Sequence, residues 1–257
     1  MLCLDIGNTD LYGGIFEKNH IIMNFRYPIK LALNTKKFEN FIKESLSKEN
    51  INMGDIQHIS MCSVVPRLTE HMKKFCVSLF NIDPFELSVL KKLPINIKYK
   101  TPYQLGVDRI ANAIGASTRY PNKSIIVVSL GTATTICAID NKKQFLGGAI
   151  LPGFKLSRDV LTEYTAKLPN VEIQKPNLVI GNTTESCIQS GLYYSQLGAI
   201  KEFIAKFQYH FTSKALIVGT GGFSHLFLNE PIFDKIIPEL ILEGLNSVYL
   251  YNEKVDT

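Results

Sequence analysis

The sequence predicts a duplicated α/β fold in which two mixed sheets are flanked by helices. Strand-like apolar segments alternate with segments of helical periodicity along the chain, and this alternation is typical of α/β proteins. A meander of strand, glycine corner, strand, turn and strand occurs twice, with its corner at Gly7 and again at Gly131. A pattern that recurs in the same register near the start of each half indicates duplication. We therefore predict two domains, residues 1–118 and 119–257, whose corners hold a triphosphate from the two sides of a cleft.

In the first meander, a strand runs through Asp5 into the corner Gly7-Asn8-Thr9, and a third strand follows at about residues 21–27. Gly7 lets the backbone approach a ligand closely because it has no Cβ, while Asn8 and Thr9 offer side-chain hydrogen bonds. A carboxylate beside such a corner, here Asp5, could hold a hydrated Mg²⁺ under a row of phosphates. For this stretch alone, an ordinary β-hairpin with a polar corner is the simpler interpretation.

The rest of the first half alternates helices and strands. Thr35 is the expected cap of the first helix, and Pro66 occupies the first-turn position that suits proline at the start of the second. The predicted elements, in order, are a helix over 35–50, a strand over 56–65, a helix over 67–80 and short strands at 85–89 and 95–99.

A loop and a helix with candidate catalytic residues complete this half. Pro102 and Gly106 mark the loop, and the helix then runs to about residue 116. Asp108 and Arg109 lie near the start of that helix, where the helix dipole favours a carboxylate. The dipole and the neighbouring cation would keep Asp108 ionised and able to accept a proton. The structural alternative is a helix-start acid with a solvated arginine beside it.

The second half repeats the meander and continues with helices. Gly131 and Thr132 take the places of Gly7 and Asn8. Glycines and a proline at 147–153 suggest that the backbone comes close to something there. The later predicted elements are a helix over 155–168, a long helix over 185–210 capped by Thr183 or Thr184, a strand over 214–218 that leads into a glycine cluster, and an amphipathic tail helix over 239–251.

Composition limits the class of protein. The net charge of +5 over 257 residues is spread without a long basic run, which mildly favours an anionic ligand and gives little support to nucleic acid as a partner. The five cysteines are scattered and lack a CxxC pair, so we expect buried thiols of a cytoplasmic protein rather than bridges or a metal site. Asp5 interrupts the apolar start and no apolar run reaches about 18 residues, so neither a signal peptide nor a membrane span is expected.

Five segments, in order and at suitable spacing, match the pattern of a known family. They are Asp5-Ile6-Gly7-Asn8-Thr9; Tyr99 through Pro102 to Gly106-Val107-Asp108-Arg109; Gly131-Thr132-Ala133-Thr134-Thr135; 147–153 with Lys167-Leu168-Pro169; and 181–191 with Thr184. This set resembles the type III pantothenate kinases, of the acetate/sugar kinase–Hsp70–actin superfamily, over nearly the whole chain. The resemblance implies two ribonuclease H-like domains related by duplication, with a nucleotide cleft between them.

The resemblance also implies an activity and a set of roles. The implied enzyme is a cytoplasmic homodimer that uses ATP to phosphorylate pantothenate to 4′-phosphopantothenate, the first step of coenzyme A biosynthesis. Asp108 corresponds to the general base, and Asp5 is expected near a divalent ion such as Mg²⁺. The implied ATP contacts are Asp5, Ile6, Gly7, Asn8, Thr9, Asp10, Leu11, Tyr12, Gly131 and Thr132. The implied pantothenate contacts are Tyr99, Gly106, Val107, Asp108, Arg109 and Thr184.

The chain departs from the family pattern at Ser129, where the family usually has an aspartate that corresponds to a ligand of a monovalent cation. Serine is a neutral and weaker oxygen donor, so the affinity for K⁺ or NH₄⁺ should be reduced. A weak site, a rearranged site, an enzyme without a cation requirement and an impaired kinase all remain open.

Two other functions compete with the kinase. A regulatory nucleotide-binding protein with little catalysis gains support from Ser129 and loses it through the intact pair Asp108-Arg109. Another sugar or acetate kinase of the superfamily explains Asp5 and Gly131 but not the segment 99–109. Release of ADP that depends on pantothenate distinguishes these alternatives.

Overall fold

The computed structural model describes residues 1–255, and the contacts of the chain divide it into two compact units. Unit 1 comprises Met1–Asn96, Lys100–Arg119 and the segment from Leu240 onward, whereas unit 2 comprises Ile97–Tyr99 and Tyr120–Glu239. The break after Arg119 lies one residue from the predicted boundary at 118/119. The tail, which the sequence division assigned to the second domain, packs within unit 1 instead.

Strands and helices alternate in both halves. In the first half the elements are β1 (Leu2–Ile6), β2 (Asp10–Glu17), β3 (His20–Pro28), α1 (Ile29–Ala32), α2 (Thr35–Lys48), β4 (Ile59–Ser63), α3 (Pro66–Phe80), β5 (Phe85–Glu86), β6 (Asn96–Ile97) and α4 (Val107–Arg119). In the second half they are β7 (Ile125–Leu130), β8 (Ala133–Ile139), β9 (Gln144–Pro152), α5 (Phe154–Glu163), α6 (Thr184–Gln208), β10 (Leu216–Thr220), β11 (Lys235–Ile236) and α7 (Leu240–Val255).

The sheet of unit 1 has the strand order β3-β2-β1-β4-β5, in which β1 pairs antiparallel with β2 and parallel with β4. Successive side chains of a strand point to opposite faces. Leu2, Leu4 and Ile6 therefore enter a hydrophobic core with α2 and α3. Cys3 and Asp5 belong to the opposite face, against which α4 and α7 pack. The face that carries Asp5 is thus the one that receives the helix of Asp108.

Two glycines let α4 and α7 cross at close range. A Cβ on Gly244 would lie 2.6 Å from the carbonyl carbon of Ala111, and one on Gly115 would lie 3.1 Å from the main-chain nitrogen of Gly244. Because no side chain separates them, the two helix backbones can approach closely. Ser60 of β4 donates a hydrogen bond to the carbonyl oxygen of Leu245 (3.0 Å), which fastens α7 to the sheet.

The sheet of unit 2 repeats the topology of unit 1. Its strand order is β11-β10-β7-β8-β9-β6, so the run β9-β8-β7-β10-β11 reproduces the run β3-β2-β1-β4-β5. Apolar side chains of α6 cover this second sheet in a core of their own. The repeated meander is therefore a structural duplication, and the predicted fold class of two ribonuclease H-like domains with mixed sheets and flanking helices is confirmed.

The end of α5 was predicted wrongly. The helix stops at Glu163 rather than near residue 168. Leu168 and Val171 pack on the core of unit 2 from an irregular stretch, so they are not one face of a helix. Pro169 also disfavours the helical conformation at the residue that precedes it.

Two further details differ from expectation. The cap of α2 is Asn34 rather than Thr35, because the Asn34 side chain accepts the amide of Lys37 (3.1 Å). Cys187 is exposed near the start of α6, whereas the other four cysteines are buried as expected. Within residues 1–255 the structure contains no helix with the length and apolarity needed to span a membrane.

Candidate active site

The first corner is a tight turn between β1 and β2. The amide of Gly7 donates to the carbonyl oxygen of Asp10 (3.0 Å), and a Cβ on Gly7 would lie 3.0 Å from that oxygen. The carbonyl oxygen of Thr9 accepts the amide of Ile29 (2.9 Å), which ties the turn to the start of α1. The turn leaves almost no room for a side chain at position 7, because the carbonyl oxygen of Asp10 occupies that space.

The predicted ATP contacts of this corner differ in what they can offer. Ile6 and Leu11 are fully buried in the core of unit 1, so only their main-chain groups could reach a ligand. Asn8 is exposed, and Thr9 and Asp10 are partly buried. The polar side chains of the turn are therefore available, and the apolar ones are structural.

A row of side chains crosses four strands at the level of Asp5. The strand register places Asp5 between Cys62 of β4 and Tyr12 of β2, and it places Tyr12 beside Arg26 of β3. The Cys62 thiol donates to Oδ1 of Asp5 at 3.4 Å. The Arg26 guanidinium carbon lies 3.8 Å from the centroid of the buried Tyr12 ring. The row thus sets a carboxylate between a thiol donor and an arginine that is stacked on an aromatic ring.

Asp108 lies in the first turn of α4, and its carboxylate folds back over the loop that precedes the helix. A Cβ on Gly106 would lie 2.5 Å from Oδ1 of Asp108, so glycine is needed there to leave room for the carboxylate. The carbonyl oxygen of Gly106 accepts the amides of Arg109 (3.1 Å) and Ile110 (3.2 Å), which starts the helix. Val107 is the first residue of α4.

Burial changes the electrostatics expected of this pair. Arg109 is only 5% exposed and is not a solvated neighbour of the acid. Burial raises the pKa of Asp108 above its ordinary value, although hydrogen bonds from main-chain amides and the charge of Arg109 act to lower it. The cation and the helix start act in the expected direction, but desolvation of the carboxylate is the larger effect on its pKa.

Asp5 and Asp108 are close enough for their charges to interact. Burial, followed by the charge of Asp108, raises the pKa of Asp5 to about 7, while the Cys62 thiol and the charge of Arg26 act to lower it. Two carboxylates that repel each other in a partly desolvated place favour the binding of a cation. Unit 1 therefore holds two of the predicted site residues, Asp5 and Asp108, within electrostatic reach of each other.

The residues present suit Mg²⁺ held in one particular way. Across residues 1–255, the histidine, cysteine, aspartate and glutamate side chains do not gather in groups of three or more that could form a complete metal site. Mg²⁺ commonly binds through one or two carboxylates, water and the phosphates of its nucleotide instead of a protein cage. Asp5, which is followed two residues later by the Gly7 corner, fits that mode.

The second corner, in unit 2, is one residue shorter than the first. The amide of Gly131 donates to the carbonyl oxygen of Ala133 (3.1 Å), two residues on, whereas Gly7 donates to Asp10, three residues on. The carbonyl oxygen of Thr132 accepts the amide of Gly153 (3.1 Å), and a Cβ on Gly153 would lie 2.5 Å from that same oxygen. Gly221, with φ +89°, approaches the backbone of Leu130 in the same way. The glycines that the sequence marked for close approach therefore pack against this corner.

Ser129 occupies in unit 2 the position that Asp5 occupies in unit 1, two residues before the corner glycine. The register pairs Ser129 with Thr135 of β8 and Thr220 of β10. The cross-strand neighbours of Ser129 are thus neutral hydroxyl residues, without a carboxylate among the three. Hydroxyl oxygens are weak ligands for a cation that lacks a charged partner.

The two remaining predicted substrate contacts lie on different elements of unit 2. The Tyr99 ring packs edge-on against Phe145 with a centroid distance of 6.2 Å, and it covers Gly147 of β9. Thr184 is the exposed first residue of α6, whose cap is Thr183 with Ser186 as its partner. Thr184 borders an apolar pocket of about 590 Å³ whose other lining residues include Val160, Leu161, Ile188 and Leu192.

Comparison with known proteins decides the family. The model of the type III pantothenate kinase family matches residues 1–206. A type III pantothenate kinase of Legionella pneumophila (strain Corby) is 44% identical over 254 residues, which cover 98% of this chain and 99% of that protein. The chain belongs to the type III pantothenate kinase family. Type III pantothenate kinase 1 of Francisella tularensis subsp. holarctica (strain OSU18) is 41% identical over 98% of this chain and all of that protein.

Solved structures support the fold of the family. A conserved putative Baf family transcriptional activator from Campylobacter jejuni has a TM-score of 0.62 at 22% identity, over 99% of this chain and 100% of that chain. A putative N-acetylglucosamine kinase from Porphyromonas gingivalis has a TM-score of 0.51 at 11% identity, over 98% of this chain and 99% of that chain. At these identities the likeness extends to the fold and gives no support to a regulatory function.

Two residues that contact the site were missed by the sequence interpretation of this family member. Cys62 was read as an ordinary buried thiol, and Arg26 was not singled out. The parallel pairing of β1 with β4 brings Cys62 to Asp5, and such a pairing leaves no local trace in the sequence. Arg26 reaches the row through the β2–β3 hairpin, whose register is altered by an irregularity at Ile15/Phe16.

Proposed function

We propose that this protein transfers the γ-phosphoryl group of ATP to the primary hydroxyl of pantothenate, giving 4′-phosphopantothenate and ADP at the first step of coenzyme A biosynthesis. The family relationship supports this activity, since the relatives named type III pantothenate kinase match almost the whole chain. The structural observation that carries the proposal is that α4, with Asp108 in its first turn, packs on the face of the unit 1 sheet that carries Asp5.

In the proposed reaction the protein mainly positions groups and neutralises charge, as phosphoryl transfer requires. The main-chain amides of the Gly7 and Gly131 corners, together with Thr132, bind the phosphates of ATP. Mg²⁺ on those phosphates, next to Asp5, would supply positive charge. Ionised Asp108 orients the hydroxyl and takes its proton while the new O–P bond forms and the bond between the γ-phosphorus and the bridging oxygen breaks.

Pantothenate, in this proposal, contacts Tyr99, the segment Gly106–Arg109 and Thr184. Arg109 is a buried cation that suits the carboxylate of pantothenate or the charge that develops on the transferred group. Its position next to Asp108 in sequence means that substrate binding and base chemistry both depend on the first turn of α4.

Ser129 leads to a separate proposal about K⁺ or NH₄⁺. With neutral neighbours at Thr135 and Thr220, a monovalent cation binds weakly or is not required. Titration of KCl against the rate of ADP release tests this. Little change between zero and tens of millimolar K⁺ is expected, and strong activation at low millimolar K⁺ would contradict it.

We also propose that the enzyme is a cytoplasmic homodimer that pairs through an apolar surface of unit 2. Ile150 of β9 is 64% exposed, and Leu156 and Val160 of α5 are 43% and 46% exposed. We take these exposed apolar side chains as the dimer contact because exposed apolar patches are typical of interaction sites. Light scattering after gel filtration should give twice the mass of one chain, and Val160→Asp should shift the protein toward the monomer.

The proposed activity is tested by mixing the purified protein with ATP, Mg²⁺ and pantothenate. We expect ADP and 4′-phosphopantothenate in equal amounts, detected by a coupled assay and by mass spectrometry. Omission of pantothenate should abolish ADP release. Hydrolysis that does not depend on pantothenate, or preference for a sugar in a panel of alternative alcohols, would refute the assignment.

A further inference from the structure

Arg26 forms the outer end of the row of side chains that crosses the sheet of unit 1, and its side chain has an unusual orientation. Arg26 belongs to β3, which is the edge strand of its sheet, and its residue as a whole is exposed. An arginine on an edge strand commonly points outward and discourages pairing with other chains. Here the guanidinium instead lies over the Tyr12 ring, 3.8 Å from its centroid, on the next strand inward.

This stack directs the charge of Arg26 toward the candidate site. The register aligns Arg26, Tyr12 and Asp5 in one cross-strand row, so the side chain runs inward along the face that carries Asp5. The positive charge of Arg26 acts to lower the pKa of Asp5 across this row. Among residues 1–255, no carboxylate lies within 4 Å of the Arg26 side-chain nitrogens.

An arginine held in this way is prepared to bind an anion. Stacking on a ring covers one face of the guanidinium and leaves its N–H groups directed sideways, in the plane where a phosphate can accept two hydrogen bonds. The ring also limits the rotamers of a long side chain, so less conformational entropy is lost when a ligand binds. The amides of the Gly7 corner carry only partial charges, whereas Arg26 adds a full positive charge beside them.

We propose that Arg26 is a nucleotide-binding residue whose guanidinium, positioned by Tyr12, contacts the terminal phosphates of the bound nucleoside triphosphate next to Asp5. The assignment deepens the kinase function proposed above and rests on it. Arg26 provides a fixed cation where the negative charge of the transferring group lies close to two carboxylates. Tyr12 is in this view the platform for the cation, in addition to its place at the end of the first corner.

The test is calorimetric binding of Mg–ATP, without acceptor, to the wild type and to Arg26→Gln, Arg26→Lys and Lys48→Gln. Lys48 is the matched control, because it is an exposed cation of unit 1 at the end of α2, on the opposite face of the sheet. We expect Arg26→Gln to weaken Mg–ATP binding roughly ten- to hundredfold. Arg26→Lys keeps the charge but loses the planar fork, so its loss should be smaller, and Lys48→Gln should bind like the wild type.

Two further readouts separate a phosphate contact from a structural role. Pantothenate binding and the melting temperature should change little in Arg26→Gln, and added NaCl should weaken Mg–ATP binding less in that variant than in the wild type. Binding of Mg–ATP by Arg26→Gln within twofold of the wild type, or an equal loss in Lys48→Gln, would overturn the proposal. If Arg26→Gln does not fold, Arg26→Lys decides, and wild-type affinity in that variant would overturn it.

The same experiment keeps this assignment apart from the proposed activity. A wild-type protein that binds Mg–ATP through Arg26 but does not phosphorylate pantothenate would refute the activity and leave the Arg26 contact standing. A wild-type protein that phosphorylates pantothenate while Arg26→Gln binds Mg–ATP normally would do the reverse. A wild-type protein that does not bind Mg–ATP would refute both.

Discussion

The substitution Gly244→Ala tests the close crossing of α4 and α7, because it adds one methyl group where the two helix backbones meet. The added Cβ would lie 2.6 Å from the carbonyl carbon of Ala111, and closer still to its oxygen. Both partners are helix backbone, so neither can turn aside as a flexible side chain would. We expect the substitution to force α7 away from α4, the helix that begins with Asp108.

The size of the effect follows from these distances. Ordinary contact begins near 3.4 Å, so α7 must retreat by at least 0.8 Å, the difference between 3.4 Å and the 2.6 Å of the crossing. Overpacking of this kind costs about 1–3 kcal/mol. A gap of 0.5–1 Å also removes roughly a quarter to a half of the dispersion energy of each contact that opens. The α7 side chains that would lose this dispersion energy are the fully buried ones, namely Leu240, Leu242, Leu245 and Val248.

These terms outweigh the higher helix propensity of alanine, which returns at most about 1 kcal/mol. The expected net loss is about 3 kcal/mol in the free energy of unfolding, and for a chain of this length the melting temperature should fall by roughly 6–12 °C. The loosened crossing should also release α4, and a shift of the proposed base Asp108 by about 1 Å should lower kcat by about a hundredfold.

The assay combines urea unfolding, thermal melting and the rate of pantothenate-dependent ADP release. Gly198→Ala is the matched control, because Gly198 is an exposed glycine within α6 and a Cβ there would meet nothing within 4 Å. That variant should gain about 0.5–1 kcal/mol from helix propensity and keep its activity. A Gly244→Ala protein that melts within 2 °C of the wild type and retains its kcat would refute the argument from the crossing.

Other predictions follow from the same structure. Gly106→Ala places a Cβ 2.5 Å from Oδ1 of Asp108, so the carboxylate should turn aside and kcat should fall about tenfold or more, while the melting temperature stays nearly constant; equal kcat would refute this. The raised pKa of Asp5, about 7, means that the folded protein binds more protons than the unfolded chain between about pH 4 and 7. The unfolding free energy in EDTA should therefore fall as the pH rises through that range, and Asp5→Asn should add about 2–4 kcal/mol at pH 8; urea titrations that show no pH dependence would contradict it. Ser117 is 3% exposed, and its Oγ is buried without a hydrogen-bond partner, so Ser117→Ala should raise the unfolding free energy by about 1 kcal/mol without changing the kinetics; a loss of stability would show that the hydroxyl is used.

The parts of the fold that the sequence predicted are those encoded locally. The glycine corner at Gly7 and its repeat at Gly131 lie between apolar strand segments, and in the structure each joins the first two antiparallel strands of its sheet. The destination of the tail was a different matter. Its amphipathic pattern shows that one face of the tail helix is buried, but it does not show which element covers that face. The close approach of Gly244 to Gly115 of α4 depends on the tertiary packing and cannot be predicted from either glycine alone.

The site residues whose positions depend on strand register could not be predicted from the sequence. Lys18 and Asn19 form the two-residue connection of the β2–β3 hairpin, and counting from that turn pairs Tyr12 with Phe25. The irregularity between Ile15 and Phe16 shifts the pairing by one residue and sets Arg26 beside Tyr12 instead. A one-residue shift in pairing moves each side chain of a strand to the other face of the sheet. The residues of the hairpin do not indicate that such a shift occurs. The raised pKa of Asp108 was missed for a similar reason, because burial depends on the helices packed around it.

The proposed role of Asp108 as the base is decided by the steady-state rate of Asp108→Asn with Mg–ATP and pantothenate. The wild type should release ADP and form 4′-phosphopantothenate in equal amounts. The amide keeps the shape of the carboxylate but cannot take the proton, so kcat should fall at least a hundredfold while Mg–ATP binding and the melting temperature stay close to wild type. An Asp108→Asn enzyme that turns over at the wild-type rate would remove Asp108 from the chemistry and contradict the proposed mechanism.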